Sequence, residues 1–279
     1  MPVLRSKQLK SQKMKTPTRS KGAASTPQES TAMPQSTRQN GTHIFFWGGP
    51  LSNWHSGRNY SGKRTLELLL PKLAELDIGH PPPEAFSSRL LSSVVFGCGE
   101  QWMMAMKGWL FERDIELSEK LLADGGDAEK EFQLLRREML APIRPSLNEK
   151  EKRAMYDSCL CKCLRSKSPK DQKSYGRRCR NFDVKVWDVA SVPVVVACQI
   201  ARAEVDDQLR RLYLRSGNRV FVEGSPRDTV WGVGIRWDQV SIENPSNWLG
   251  ENRLGVCHGI ACKAVKELWE EKSGAEQVS

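Results

Sequence analysis

All aromatic residues of this chain lie after residue 40, and this constrains where a folded core can form. The sequence has 279 residues with nine Trp, eight Phe and four Tyr, and none of these lies in residues 1–40. That segment carries eight basic residues against one acid, so it has too little apolar surface to offset the entropy of ordering. The sequence therefore predicts a disordered basic tail over 1–40, a folded domain over 41–272 and a flexible C-terminus over 273–279.

The formal net charge of +10 suggests a nucleic-acid-binding protein, but most of it belongs to this tail. The tail carries +7, and the remaining residues carry 35 basic against 32 acidic side chains. The basic tail is a candidate for contacting polyanions or for nuclear or mitochondrial targeting, and the folded part is nearly balanced. A nucleic-acid-binding protein is therefore one alternative for function, and it rests on charge alone. It predicts binding that weakens as the salt concentration rises.

Several other classes of protein are disfavoured. The sequence has no run of 18 apolar residues and no apolar N-terminal signal region, so we expect no membrane association and a cytoplasmic protein. Eight Cys are too few for a disulfide scaffold and are interpreted as reduced thiols. Neither Cys159-Leu160-Cys161-Lys162-Cys163 nor the Cys257-His258 pair has the ligand spacing of a zinc site, so we expect no metal and no cofactor.

Periodicity and breakers predict a mainly α-helical α+β domain with a few short strands. The predicted strands are 43–47 and 220–222, because both are short apolar runs that end at Gly-rich turns. Helical spacing and capping residues predict helices over 66–76 (interrupted at Pro71), 100–122, 168–176, 194–215 and 256–271.

Two segments combine residue types that are suited to chemistry. Glu100 and Lys107 are seven residues apart on a predicted helix, so both project from one face beside apolar neighbours that can shift their pKa values. The loop 225–234 holds Asp228 and Trp231 between a Pro and two Gly, which is typical of a rigid ligand-contacting loop. Equally, the first pair could be a solvated helix face and the second a structural turn.

Five blocks, taken in order, resemble the NADAR (NAD and ADP-ribose) or YbiA-like superfamily. They are Phe45-Phe46 with Pro50-Leu51-Ser52-Asn53-Trp54; Gly99-Glu100-Gln101-Trp102 through Lys107; Lys173-Ser174-Tyr175-Gly176-Arg177 with Asn181-Phe182-Asp183 and Trp187; Val222-Glu223-Gly224-Ser225-Pro226-Arg227-Asp228 through Gly234; and Trp248 with Gly250-Glu251-Asn252-Arg253-Leu254-Gly255. The resemblance implies a YbiA-like single domain with insertions near 63–90 and 124–167.

The resemblance also implies a function. Proteins of this superfamily are similar to N-glycosidases that hydrolyse the ribose–nitrogen bond of a ribosylated base. The substrate would be either a ribosylamino-pyrimidine intermediate of riboflavin synthesis or ADP-ribosylated guanine in nucleic acid. The alternative is a non-catalytic module that binds ADP-ribose or a nucleotide.

Residue roles follow from the same resemblance. Glu100 and Asp228 would serve as acid/base and ribose-orienting groups, and Lys107 as a candidate Schiff-base nucleophile. Substrate contacts would come from a further set of polar and aromatic positions: Asn53, Trp54, Trp187, Trp231, Gly232, Asn252 and Arg253.

Overall fold

The computed structural model of the chain describes residues 36–117 and 127–278, with side chains described as far as residue 270. Helices dominate these residues, which confirms the predicted mainly α-helical α+β fold. The strands are β1 (Thr37–Gln39), β2 (His43–Phe46), β3 (Tyr60–Ser61), β4 (Val95–Phe96) and β5 (Val220–Glu223). The helices are α1 (Gly62–Glu75), α2 (Phe86–Ser92), α3 (Gly99–Phe111), α4 (Ala128–Leu140), α5 (Lys150–Tyr156), α6 (Cys159–Arg165), α7 (Pro169–Gly176), α8 (Val184–Val205), α9 (Asp207–Arg215) and α10 (Arg253–Val278).

The main sheet has the order β1-β2-β5, with β1 antiparallel and β5 parallel to β2. Successive side chains of a strand point to opposite faces, and here both faces are covered. Ile44, Phe46 and Phe221 pack into the large helical core, whereas Phe45 and Val222 join a smaller cluster on the opposite face. Burial on both faces explains why β2 and β5 appear in the sequence as continuous apolar runs.

At both ends, described elements extend beyond the limits predicted for the folded domain. Residues 37–39 fall in the predicted tail but form β1, because Arg38 donates to the Trp237 carbonyl and its guanidinium lies 4.4 Å from the Phe45 ring centroid. At the other end α10 continues to Val278 through the segment predicted to be flexible. Residues 1–35 of the predicted tail lie outside the described residues.

Three predicted helices also differ from the structure. α1 passes through Pro71, whose position on the exposed face leaves the helix uninterrupted. α3 ends at Phe111, because the carboxylate of Glu112 turns away to accept from the backbone N–H groups of Cys159 and Arg180. The remainder of the predicted helix, 118–122, lies outside the described residues. The predicted helix 194–215 is α8 followed by α9, with Asp206 between them capping α9.

Other sequence predictions agree with the structure. The strands β2 and β5 lie where the apolar runs predict them. The predicted helix start at Ser168-Pro169 is confirmed, since Ser168 Oγ accepts from the backbone N–H of Asp171 and α7 ends at Gly176.

Helix α3 lies at the centre of the molecule and packs against α6, α7 and α8. Every residue of α3 except Lys107 is buried, as expected of a helix that is covered on all sides. Its two Trp side chains are fully buried with their indole N–H groups satisfied: Trp102 donates to the Val194 carbonyl and Trp109 to Ser88 Oγ. α3 is therefore a rigid platform for the polar side chains that it carries.

Helix α8 is long and apolar enough, by length and composition alone, to cross a membrane. Core helices of folded domains pass the same test, and α8 packs against α1, α3 and α10 with a large share of its residues buried. Its apolar character is thus accounted for by the core.

The crossing of α3 and α6 depends on Gly108. A Cβ at this position would lie 2.4 Å from the backbone nitrogen of Leu160, and backbone cannot move aside cheaply. We expect Gly108→Ala to lower the free energy of unfolding by about 1–3 kcal/mol, in spite of the better helix propensity of Ala. Urea denaturation would measure this.

Gly259→Ala is the matched control. Gly259 lies on the exposed side of α10, and a Cβ there would meet nothing within 4 Å. This substitution should raise stability by about 0.5–1 kcal/mol. Equal effects of the two substitutions would contradict the close helix crossing.

Candidate active site

The first residue of the site is Glu100, in the first turn of α3. Its backbone N–H donates to the Asn53 carbonyl at 2.8 Å, which ties the start of α3 to the loop that carries Trp54. The preceding Gly99 permits this approach, because a Cβ there would lie 2.5 Å from Asn53 Oδ1. The side chain of Trp54 lies close enough to the Glu100 carboxyl group to favour its ionised form. Trp54 is 47% exposed, so the buried carboxyl group lies near a solvent-accessible indole.

The Glu100 carboxyl group is only 2% exposed, and its Oε1 has no hydrogen-bond partner among the described residues. Burial raises the pKa of Glu100 to about 7, against the opposing effect of Lys173, Trp54 and Lys107. A carboxyl group with this pKa can both give and take a proton near neutral pH, which is what general acid–base catalysis requires.

Asp228 and Lys173 form a charged pair beside Glu100. Asp228 Oδ1 accepts from the backbone N–H groups of Val230 and Trp231 at 3.1 and 2.8 Å, which fixes the loop after β5. Its Oδ2 lies 4.0 Å from Lys173 Nζ, on α7. Lys173 Nζ also lies 6.0 Å from the Trp54 ring centroid. One oxygen of Asp228 is therefore structural, and the other faces the site.

A second buried carboxyl group faces the same pair. Glu223, the last residue of β5, is half-buried, and its Oε2 is shielded from solvent without a hydrogen-bond partner in the described part of the chain. Burial raises the pKa of Glu223 to about 8; the charge of Asp228 acts in the same direction and Lys173 opposes it. The site thus has two carboxyl groups that hold a proton near neutral pH.

Lys107 lies on the same helix as Glu100, in an aromatic environment. Its Nζ is 4.5 Å from the ring centroid of Phe182 and 4.9 Å from that of Trp187, and Phe182 and Trp187 pack against each other. Burial lowers the pKa of Lys107. The aromatic faces attract the ammonium form, whereas burial favours the neutral amine.

The thiols of Cys159 and Cys179 lie near Lys107, and Cys163 lies beside Cys159. Cys159 Sγ is 4.0 Å from Cys163 Sγ, and hydrogen bonds from Cys163 and Cys179 lower the pKa of the Cys159 thiol. All eight cysteines are free thiols. Within the described ranges no group of three or more His, Cys, Asp or Glu is arranged to hold a metal ion.

Two of the predicted substrate-contacting residues have internal roles. The amide oxygen of Asn53 accepts from Gln199 Nε2 at 2.7 Å, and Asn53 is 6% exposed. Asn252 has a φ of 56° and is also buried; its Oδ1 accepts from the Glu223 N–H and its Nδ2 donates to the Phe221 carbonyl. Both therefore hold backbone segments in place.

The other predicted contacts differ in their surroundings. Trp54 lies near Glu100, and Trp187 lies near Lys107, as described above. Arg253 forms salt bridges with Asp188 and Glu251. Trp231 is half-buried against the main core, and Gly232 lies where a Cβ would be 3.1 Å from Glu223 Cγ.

Lys173 and Glu223 are the residues to which sequence reasoning assigned no role. Both belong to the blocks that resemble the NADAR superfamily. Glu223 had a signal, since an acid directly follows a buried strand and precedes a Gly-Ser-Pro turn. Lys173 had none, because nothing in the sequence shows that the exposed face of α7 meets the loop at Asp228.

A family model matches part of the chain. Residues 150–258 match the NADAR domain, and this confirms the resemblance that the sequence blocks indicated. Of the residues discussed above, the matched segment contains Lys173, Trp187, Glu223 and Asp228, whereas Glu100 and Lys107 precede it.

Two curated relatives are similar to the chain. N-glycosidase R617 of Acanthamoeba polyphaga mimivirus is 36% identical over 84 residues, which is 30% of this chain and 49% of that protein. Protein irg-1 of Caenorhabditis elegans is 28% identical over 120 residues, or 41% of this chain and 55% of that protein. The chain thus spans about half the length of the curated relatives that it matches.

The raised pKa of Glu100 predicts a pH-dependent stability effect. The ionised form is disfavoured on folding, so the parent loses stability as the pH rises from 4.5 to about 7. Glu100→Gln cannot ionise and should gain stability relative to the parent over this range, approaching about 3 kcal/mol at pH 8. Urea unfolding at pH 4.5 and pH 8 would measure the difference.

The control is Glu84→Gln, which replaces an exposed carboxyl group. It should change the free energy of unfolding by less than about 0.5 kcal/mol at both pH values. If Glu100→Gln had the same effect at pH 4.5 and pH 8, Glu100 would be an ordinary ionised carboxylate.

Proposed function

We propose that the protein is an N-glycosidase that hydrolyses the ribose–nitrogen bond of a ribosylated base. The observation that carries this proposal is Glu100, a buried carboxyl group with an unpartnered oxygen, lying beside an exposed indole and within the field of two lysines. The NADAR match and the N-glycosidase relative support the reaction class.

The reaction creates positive charge at the anomeric carbon while the base departs. Ionised carboxylates at the site stabilise that charge, and a protonated carboxyl group delivers a proton to the leaving nitrogen. Glu100 is suited to proton transfer because its pKa lies near neutral pH. Asp228 Oδ2, which faces Lys173, is suited to orienting the ribose hydroxyls, since Oδ1 is held by the loop.

Lys107 supplies a covalent route. After the carbon–nitrogen bond breaks and the base leaves with a proton, the neutral amine of Lys107 adds to the anomeric carbon and loses a proton. The bond from this carbon to the ring oxygen then breaks as the ring oxygen takes up a proton, which leaves the open-chain sugar as a protonated Schiff base on Lys107. Water then hydrolyses the Schiff base, which releases the sugar aldehyde and regenerates the amine. Burial, which lowers the pKa of Lys107, provides the neutral amine.

Two substrate classes fit this chemistry: a ribosylamino-pyrimidine of riboflavin synthesis and ADP-ribosylated guanine in nucleic acid. In both, the sugar is attached to a nitrogen, and the exposed Trp54 is placed to stack on a planar base. Mass spectrometry of the products from each class would assign the substrate. Measurable ADP-ribose binding without release of base from either class would favour the non-catalytic binding module instead.

The Schiff base gives a direct test. Borohydride added during turnover should trap a covalent sugar adduct on the parent, and tryptic mass spectrometry should locate it at Lys107. Lys107→Ala should lose the adduct and at least about 100-fold in kcat/KM. Lys72→Met, at an exposed lysine paired with Glu75, should retain both. Full turnover by Lys107→Ala with no adduct in the parent would eliminate the covalent route.

A further inference from the structure

Glu223 and Glu100 share an uncommon condition. Each has a buried carboxyl oxygen without a hydrogen-bond partner among the described residues, and each lies in the field of the same Lys173 and Asp228. An unsatisfied buried carboxyl oxygen is costly for folding, so two that face one charged pair point to a site that acts on a ligand.

The fold holds Glu223 firmly. Its N–H donates to Asn252 Oδ1, and its carbonyl accepts from the N–H groups of Ser225 and Val233, each at 3.0 Å. Gly232 lies against the side chain, because a Cβ at position 232 would be 2.9 Å from the Glu223 carbonyl oxygen and 3.1 Å from Cγ. The backbone and Cγ of Glu223 are thus held between the end of β5 and the loop that follows it, while Oε2 has no hydrogen-bond partner among the described residues.

The charges around Glu223 define its protonation state in the free protein. The charge of Asp228 opposes a negative charge on Glu223, whereas the charge of Lys173 stabilises one once the proton has left. A carboxyl group that starts neutral and becomes ionised opposite an ammonium group has the arrangement of a general acid.

We propose that Glu223 is the general acid that protonates the departing base nitrogen, and this rests on the proposed N-glycosidase function. The bond from the anomeric carbon to nitrogen breaks, its electron pair goes to the nitrogen, and the proton of Glu223 joins that nitrogen. The resulting carboxylate faces Lys173. When water adds to the anomeric carbon, directly or through the Lys107 Schiff base, the ionised form of Glu100 accepts the proton that the water releases. That proton then passes through solvent to the Glu223 carboxylate, which restores both the base and the acid.

The two carboxyl groups then have different roles, with Glu223 as the acid and Glu100 as the base. Glu100 lies near Trp54 at the start of α3, and Glu223 lies at the end of β5, where its carbonyl accepts from the Val233 N–H of the following loop. Because Asp228 and Lys173 act on both carboxyl groups, a ribosylated base bound beside this pair would lie near both glutamates. Exocyclic-amine leaving groups are the class that needs such an acid, because an unprotonated amide-like anion leaves very slowly.

The experiment compares pH profiles of kcat/KM for base release by the full-length parent, Glu223→Gln and Glu243→Gln. The parent should lose activity above pH 8, because its acid is then ionised. Glu223→Gln should be slower by about 100- to 10,000-fold and should lack this alkaline decline. Glu243→Gln, at an exposed carboxylate paired with Arg38, should match the parent. Parent-like rates with an unchanged alkaline limb in Glu223→Gln would overturn the proposal.

A second measurement on the parent keeps the proposal testable if Glu223→Gln does not fold. Carbon-13 NMR of glutamate-labelled protein should show two carboxyl groups that titrate near pH 7 and pH 8, with the second changing in the presence of a non-hydrolysable ribosyl analogue. Ionisation of every glutamate below pH 6 would refute the role of Glu223. Absence of base release from all substrates, with two neutral carboxyl groups still present, would refute the N-glycosidase function alone.

Discussion

The buried guanidinium group of Arg202 organises the side of the molecule on which the site forms. Arg202 is 3% exposed and donates to the carbonyls of Pro50 and Ser52 and to Gln199 Oε1. Gln199 in turn donates to Asn53, whose carbonyl accepts from the N–H of Glu100. Because a buried cation must be fully hydrogen-bonded, this chain fixes the loop from Pro50 onward against α8 and the start of α3. This network fixes both the loop that carries Trp54 and the start of α3, and it thereby brings Trp54 close to Glu100.

The electrostatics of the site follow from that rigidity. Three carboxyl groups and two lysines are brought together, and if all were ionised the burial of Glu100 and Glu223 would oppose folding. The raised pKa values of both glutamates lower this cost, because each carboxyl group can hold a proton, while Asp228 stays paired with Lys173. At neutral pH Glu223 is mostly protonated, whereas Glu100 is present in both states. The protonation that lowers the cost of burial therefore also supplies the acid and the base of the proposed reaction.

Sequence patterns could predict elements whose signals are local. The apolar runs of β2 and β5, the cap at Ser168 and the face shared by Glu100 and Lys107 are set by neighbouring residues. The failures depend on distant contacts. α3 ends early because Glu112 bonds to residues 159 and 180, and β1 is ordered by Arg38 reaching residue 237. The sequence also does not show that distant partners engage the side chains of Asn53 and Asn252, two of the predicted substrate contacts. Lys173 could not be foreseen, because only the tertiary fold brings α7 to Asp228.

Lys107 shows how one environment would serve two states of the proposed nucleophile. Burial favours the neutral amine and lowers the pKa of Lys107, while the rings of Phe182 and Trp187 attract the ammonium form by about 0.5–2 kcal/mol. In the proposed covalent route, the protonated Schiff base would carry its positive charge at the same nitrogen, beside the same two rings. The aromatic pair would then stabilise the covalent cation more than the neutral amine from which it forms, and such a difference accelerates a reaction.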